Sequence, residues 1–256
     1  MGKYFTMLIG AVALFAAFSA QAITADELIA KNAAARGGSD KIKAIKTLKF
    51  DGKMHIIGGF GSIDLDVVMY QKAPDKVRME ATVQGMTSVQ AWDGSEAWQI
   101  APFRGRVAPE RMSADDAKAL ADGAPISGQL IGYKARGSKV EYLGTEDVEG
   151  TQAHKLKVTL KNGDVLYVYL DPDYFLEIRT VSQTEVRGTQ VEVVTDYGDF
   201  RKVAGVYFPF LVTAHAEGGD GGTQKITIEK AEANIPIPDS LFEFPTETGA
   251  KAKAAK

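Results

Sequence analysis

The sequence predicts a mainly β protein with a few helices: an antiparallel up-and-down sheet, heavily curved or nearly closed. Three observations carry that expectation. Apolar and polar residues alternate with a period of two through about twelve segments between Leu48 and Glu232. Short turn signals such as Pro74-Asp75, Asp93-Gly94, Glu149-Gly150 and Asn162-Gly163 separate them. Helical periodicity is confined to the N-terminal stretch and one short run near residue 115. Strands that follow one another so closely leave no room for crossover helices, which excludes a parallel α/β sheet.

Composition sets the outer bounds. The chain has 256 residues, 45% hydrophobic and 25% charged, with nine prolines, twenty-six glycines and no cysteine. Disorder, collagen and a disulfide scaffold are excluded. A net charge of -3 offers no positive field for a polyphosphate backbone, so nucleic acid is not an expected partner.

Residues 1–22 read as a cleaved secretory signal. Lys3 supplies the positive start, Met7 to Phe18 the apolar run, and Ala20-Gln21-Ala22 the small-x-small cleavage pattern. The run falls short of the roughly 20 residues a membrane-spanning helix needs. With no cysteine to carry a lipid, the mature chain from Ile23 is expected to be a soluble periplasmic or secreted protein. Residues 23–248 form one expected domain, and 249–256 a basic tail.

Thr24-Ala25-Asp26-Glu27 is a capping box that opens a helix to about Arg36, and Gly37-Gly38 ends it. Ser39-Asp40 caps a second short helix that buries Ile42 and Ile45. Leu48, Phe50, Met54 and Ile56 then alternate with polar neighbours. Ile63, Leu65, Val67 and Met69 return after Gly58-Gly59-Phe60-Gly61 as the second arm of a hairpin, and Val77, Met79, Ala81 and Val83 continue the sheet. Residues 101–137 break the rhythm with Pro102, Gly105, Pro109 and a short helix from Ser113 to about Asp122. This stretch is either a lid or surface decoration. The meander resumes at Val140, with Asn162-Gly163 as a type I′ hairpin turn.

Chemistry is sparse. His55, His154 and His215 stand far apart on separate strands, without metal-ligand spacing. There is no G-x-S-x-G elbow, phosphate loop or H-E-x-x-H. Gly218 to Gly222 reads as a hairpin loop rather than a calcium site, and Asp64 and Asp66 as a solvated face. No catalytic residue, metal or cofactor is expected, and the protein is read as not an enzyme. What stands out is apolar excess on both faces of the later strands. Tyr167 and Tyr169 oppose Leu166, Val168 and Leu170, while Phe208 and Phe210 oppose Tyr207 and Leu211. A curved sheet around an apolar cavity would use that excess, and a densely packed core is the alternative. Candidate lining residues are Phe50, Met54, Ile56, Leu65, Val67, Met69, Met79, Trp92, Trp98, Tyr167, Tyr169, Phe208 and Phe210. For the last four, the alternation leaves either face open.

Several phrases resemble the periplasmic lipoprotein carriers of the LolA family and the wider outer-membrane lipoprotein-sorting superfamily. They are Arg36-Gly37-Gly38, Tyr70 to Glu80, Trp92-Asp93-Gly94-Ser95-Glu96-Ala97-Trp98, Leu166 to Pro172, Tyr197 to Arg201 with Phe208-Pro209-Phe210, and Leu241-Phe242-Glu243-Phe244-Pro245. The resemblance implies an unclosed, strongly curved antiparallel β barrel, with a helical lid over a cavity for acyl chains. It implies a carrier of lipid or lipoprotein toward the outer membrane, with an inner-membrane transporter and an outer-membrane receptor as candidate partners. In the carriers, a functional arginine precedes the proline of the Tyr-x-Lys-x-Pro phrase. Here that position is Ala73. An envelope-sensing or scaffold module that binds protein through the same fold is the alternative reading.

Overall fold

The computed structural model describes residues 23–59, 61–186, 189–217 and 222–245. The expected signal segment, the basic tail, Phe60 and most of the Gly218 to Gly222 loop lie outside them.

Helix α1 (Ala25–Ala35) starts on the expected capping box. The Glu27 amide donates to the Thr24 hydroxyl at 3.2 Å, and the Thr24 amide donates to the Glu27 carboxylate at 2.7 Å. It ends in a Schellman motif, because Gly38 N donates to Ala33 O at 2.8 Å and Gly37 N to Ala34 O at 3.0 Å. The short α2 (Ser39–Ala44) follows and buries Ile42.

Six strands form the first arm: β1 (Thr47–Gly58), β2 (Gly61–Lys72), β3 (Lys76–Val83), β4 (Met86–Trp92), β5 (Ala97–Ala101) and β6 (Arg106–Arg111). Helix α3 (Ala114–Gly123) and a run of turns lead to the second arm. That arm comprises β7 (Lys139–Val148), β8 (Thr151–Thr159), β9 (Val165–Leu170), β10 (Glu177–Val186), β11 (Thr189–Val203), β12 (Val206–Glu217) and β13 (Thr223–Ala233). All belong to one antiparallel sheet of order β6-β5-β4-β3-β2-β1-β13-β12-β11-β10-β9-β8-β7. The only neighbours distant in sequence are β1 and β13, which join the two arms along a register from Leu48↔Ala233 to Ile57↔Thr223. The sheet does not close: β6 and β7 are opposite edges, and residues 112–138 connect them. Among the described residues, no helix is long and apolar enough to cross a membrane.

Two expectations are corrected. The sheet has thirteen strands, the extra one being β6 inside the stretch read as an interruption. Pro109 hid it, yet a proline is tolerated here because β6 is an edge and the register passes over that residue. At Asn162-Gly163 only Gly163 has positive φ (+93°). Gly163 N donates to Leu160 O, and Leu160 N donates to Asp164 O, so the loop is a type I turn with a glycine bulge rather than type I′.

The register defines two faces. Phe50, Met54 and Ile56 pair with Met69, Leu65 and Ile63, and continue through Ile226 and Ile228 to Phe208, Tyr197, Thr180, Val168 and Leu156. This inner face receives the helices. Leu28 of α1 is buried against Leu156, Val158, Val168 and Leu170. Ile42 and Ile45 pack with Leu48, Phe50 and Phe208, and Ile126 and Ile131 of the connecting segment fill the same cluster. The outer face of the first arm is covered by the C-terminal segment. Phe242 is wholly buried there, its carbonyl accepts from Trp98 Nε1 at 2.7 Å, and Arg78 donates to Leu241 O at 3.1 Å.

Gly37 fixes how α1 meets the sheet. Its φ is +122°, and a Cβ on it would lie 2.3 Å from Gly205 O in the β11–β12 turn. Tyr207 N also donates to Arg36 O at 2.8 Å. Gly37→Ala therefore meets both backbone strain and a backbone clash. It is expected to cost about 2 kcal/mol or more in a urea unfolding curve, whereas Gly59→Ala, with open space around it, stays within about 0.5 kcal/mol.

Candidate functional site

The inner face is filled at its centre and open on both sides. Phe50 and Phe208 meet edge to face, ring centroids 6.0 Å apart, and Ile126, Ile131, Phe210 and Ile228 close around them. The void left beside Phe50, Met69, Met79 and Ile228 is about 10 Å³, room for no more than a water. The densely packed alternative therefore holds for the centre. On the first arm, a cleft of about 310 Å³ opens over Met54, Ile56, Leu65, Met79, Ala81 and Phe103. On the second arm, a cleft of about 450 Å³ lies between α3 with its following turn and the inner face of β9 to β11. In strand order, the packed cluster on β1, β13 and β12 stands between the two.

The candidate residues divide accordingly. Met54, Ile56, Leu65 and Met79 line the first-arm cleft. Phe50, Val67 and Met69 border the small void, and Phe208 and Phe210 belong to the packed centre. Trp92 is on the inner face, paired with Val77 and Ala97, and its indole Nε1 is buried without a hydrogen-bond partner. Trp98, Tyr167 and Tyr169 lie on the other face. Trp98 is held by the C-terminal segment, in edge-to-face contact with Phe244. Tyr167 and Tyr169 point outward because Leu166, Val168 and Leu170 point in, toward Leu28. Those two tyrosines instead border an outer, mostly polar groove of about 360 Å³ with Glu146, Lys155 and Arg179. Lys155 lies over both rings at 4.7 and 5.3 Å, and Tyr169 donates to Glu146 at 2.9 Å.

The second-arm cleft was not anticipated. Its apolar walls are Leu160, Val165, Leu166, Val168 and Val193, and its floor carries Thr180, Ser182, Thr195 and Tyr197. The hydroxyl residues mask the period-two signal on β10 and β11. The one available cue was the parity of Leu166 and Val168 against the bulkier tyrosines.

Polar and charged groups share this cleft with the apolar walls, and three of them are perturbed. Burial pushes the Tyr197 hydroxyl up to about 12, and it shares a 3.1 Å hydrogen bond with Thr180. Burial also raises the Glu177 carboxyl, against the opposing pull of Arg36, whose Nη1 is 4.0 Å from Glu177 Oε1. That oxygen has no hydrogen-bond partner. Asp122 is raised to about 6, first by burial and then by Asp164, with Asn162 opposing. Apolar walls with convergent polar groups are suited to an amphiphile. Among the described residues, no group of His, Asp and Glu is placed to hold a metal. His55 bonds Asp64 across β1 and β2 and His154 stacks on Phe175, and neither side chain lines a cleft.

Because the folded carboxyl of Asp122 titrates near 6 and the unfolded one near 4, the folded state holds the extra proton between those values. Its contribution to stability is thus most favourable below about pH 4, declines up to about pH 6 and is level above. Asp122→Asn removes that decline. Melting curves from pH 4 to pH 8 should show the variant gaining on the parent as pH rises to about 6.5, and a pH-independent offset would count against this role for Asp122.

No protein-family model matches the chain, and no curated protein matches it in sequence. Solved structures do share its architecture. A LolA superfamily protein from Nitrosomonas europaea superposes with a TM-score of 0.61 at 13% identity, over 87% of this chain and 98% of that one. A DUF1329 family protein from Desulfovibrio piger gives 0.61 at 13%, over 86% and 95%. A domain assigned to outer membrane lipoprotein sorting, from Vibrio parahaemolyticus, gives 0.59 at 10%, over 85% and 95%. With thirteen antiparallel strands in an unclosed sheet and helices against its inner face, the chain has the LolA-like fold.

Proposed function

We propose that this protein is a non-enzymatic periplasmic carrier that holds the acyl chains of a lipid or lipoprotein on its inner face for transfer toward the outer membrane. The observation that carries the reading is the pair of apolar clefts that flank the packed centre. Both fall in the size range of ligand pockets, roughly 300–1,000 Å³. The LolA-like fold supports it, as does the N-terminal signal pattern of the sequence.

The energetics favour a cargo with more than one chain. Each buried methylene contributes about 0.8 kcal/mol, so eight in one cleft give roughly 6 kcal/mol. That is near the lower end of the ~4–15 kcal/mol lost on association. Filling both clefts, one chain in each, roughly doubles the gain while the rigid-body cost is met once. Met54 and Met79 give the first-arm cleft walls that adapt to flexible chains. An inner-membrane transporter and an outer-membrane receptor would be the donor and acceptor. A second reading, protein binding, rests on the outer groove, where Tyr167, Lys155 and Arg179 offer polar and aromatic contacts.

Two variants test the main reading by filling the clefts. Ala81→Trp obstructs the first arm and Ser182→Trp the second, both at half-buried lining positions. With folding verified by circular dichroism, each is expected to weaken uptake of a fluorescent fatty-acid probe about tenfold, and the double variant to abolish it. Unchanged uptake in the double variant would sink the proposal. Tyr167→Ala should leave uptake intact and weaken only a protein complex.

A further inference from the structure

The exposed apolar side chains are not scattered. Among the described residues seven large ones are exposed: Ile57 (52%), Ile63 (43%), Met86 (42%), Phe103 (46%), Val107 (76%), Leu143 and Tyr174. The first five lie at one end of the first arm. The pairs Ile56↔Ile63, Val83↔Met86 and Ala101↔Arg106 put the β1–β2, β3–β4 and β5–β6 connections side by side at that end. Phe103 sits in the 3-10 turn Pro102–Arg104 that joins β5 to β6. We propose that Ile57, Ile63, Met86, Phe103 and Val107, at the strand ends beside these connections, form a docking rim that inserts into the surface of a lipid bilayer and sets the mouth of the first-arm cleft against it.

Continuity with the cleft argues for a bilayer as the occupant. Phe103, Arg104 and Ile56 line the cleft as well as its mouth, while Ile57, one residue further along β1, projects from the opposite face of the strand. An acyl chain leaving the bilayer would therefore pass from Phe103 onto Ile56 and Met54 along one apolar wall of the cleft. The arrangement disfavours a peptide partner, because β1 to β5 are paired on both sides here and the one open edge, the short β6, is interrupted by Pro109. A bilayer asks only that apolar groups protrude together and tolerates their irregular spacing. The local charge does not oppose insertion. Asp66 is paired with Lys53 and Asp64 bonds His55, both on the outer side of β1 and β2, while Arg104 makes no ion pair among the described residues and can meet a lipid phosphate.

This rim rests on the carrier reading for its purpose, but its test does not. The full chain is sedimented with phosphatidylcholine vesicles, with and without phosphatidylglycerol. Binding to both is expected, with little loss in high salt, because apolar insertion rather than charge carries it. The doubly substituted variant Ile57→Asp, Val107→Asp alters exposed positions that do not line the cleft. It should lower vesicle binding tenfold or more while leaving uptake of a water-soluble acyl probe unchanged. Unchanged vesicle binding by that variant overturns the rim. So does analytical ultracentrifugation showing a dimer of the parent chain that the variant abolishes, since the rim is then an interface between copies. Vesicle binding without probe uptake would retain the rim and refute the carrier reading, so the two failures are distinguishable.

Discussion

The buried guanidinium of Arg36 is where the separate parts of this fold meet. It leaves the C-terminus of α1, donates to Ser127 O at 2.7 Å, lies 5.8 Å from the centre of the Phe208 ring and faces Glu177 of β10 at 4.0 Å. Its backbone carbonyl accepts from Tyr207. One residue thus joins a helix, the segment connecting the edge strands, and two strands of the second arm. Burial disfavours its charge and the nearby carboxylate favours it. Such a pair is costly to break singly, because each partner removed leaves the other desolvated. An arginine suits the position better than a lysine, since its planar fork can reach a carbonyl and a carboxylate together while resting on an aromatic ring.

The connecting segment is where this constraint takes effect. Its backbone carbonyls are gathered by a second arginine, Arg136, which donates to Ile131 O, Gly128 O and Gln129 O at 2.8 to 2.9 Å. With its polar backbone satisfied in this way, the segment can bury Ile126, Leu130 and Ile131 under the sheet. That burial fills the centre of the inner face and leaves space only to either side. The stretch read from sequence as either a lid or surface decoration is therefore three things: an edge strand, an exposed helix and a plug. Neither β6 nor α3 buries a residue of its own, so the plug alone supplies the buried side chains.

The sequence disclosed strand alternation, capping and turn chemistry because each is local. The capping box at Thr24 and the Gly37-Gly38 terminus appear as read, and so does the meander from β1 to β5. Faces were legible only where alternation was strong. Met54, Ile56, Leu65 and Met79 follow it into a cleft, whereas Tyr167 and Tyr169 were ambiguous because both parities on β9 are apolar. The register with β8 decides that case, and register is a property of the partner strand. The second-arm cleft was illegible for a related reason: its floor of Thr180, Ser182, Thr195 and Tyr197 looks like an ordinary wet face until α3 is laid across it. Trp98 misled because a buried tryptophan needs a hydrogen-bond partner, and its partner lies in the C-terminal segment 144 residues away.

The position of the cations also determines which part of the cover is cheapest to move. In the carriers that the sequence resembles, a functional arginine stands where this chain has Ala73, and Ala73 here contributes only its amide, which donates to Lys46 O at 2.9 Å. The arginine that grips the cover is Arg36, and it grips the plug rather than α3. Displacing residues 124–137 would break the charge-assisted bond from Arg36 to Ser127 O, about 1.5–3 kcal/mol, and expose three apolar side chains. Displacing α3 would break three neutral bonds, from Gln71 Nε2 to Gly123 O and Ala124 O at 3.3 Å each and from Gln129 Nε2 to Asp122 O, and the 3.4 Å contact of Asp122 with Asn162. At about 0.5–1.5 kcal/mol per neutral bond, the helix is the lower-cost opening, and its Lys118, Ala119 and Asp122 line the larger cleft. Above about pH 6 the ionised Asp122 is disfavoured by its burial and by Asp164, against the opposing bond from Asn162, which lowers the cost of moving the helix further. Access to the second-arm cleft is thus separable from the packing that holds the two arms together.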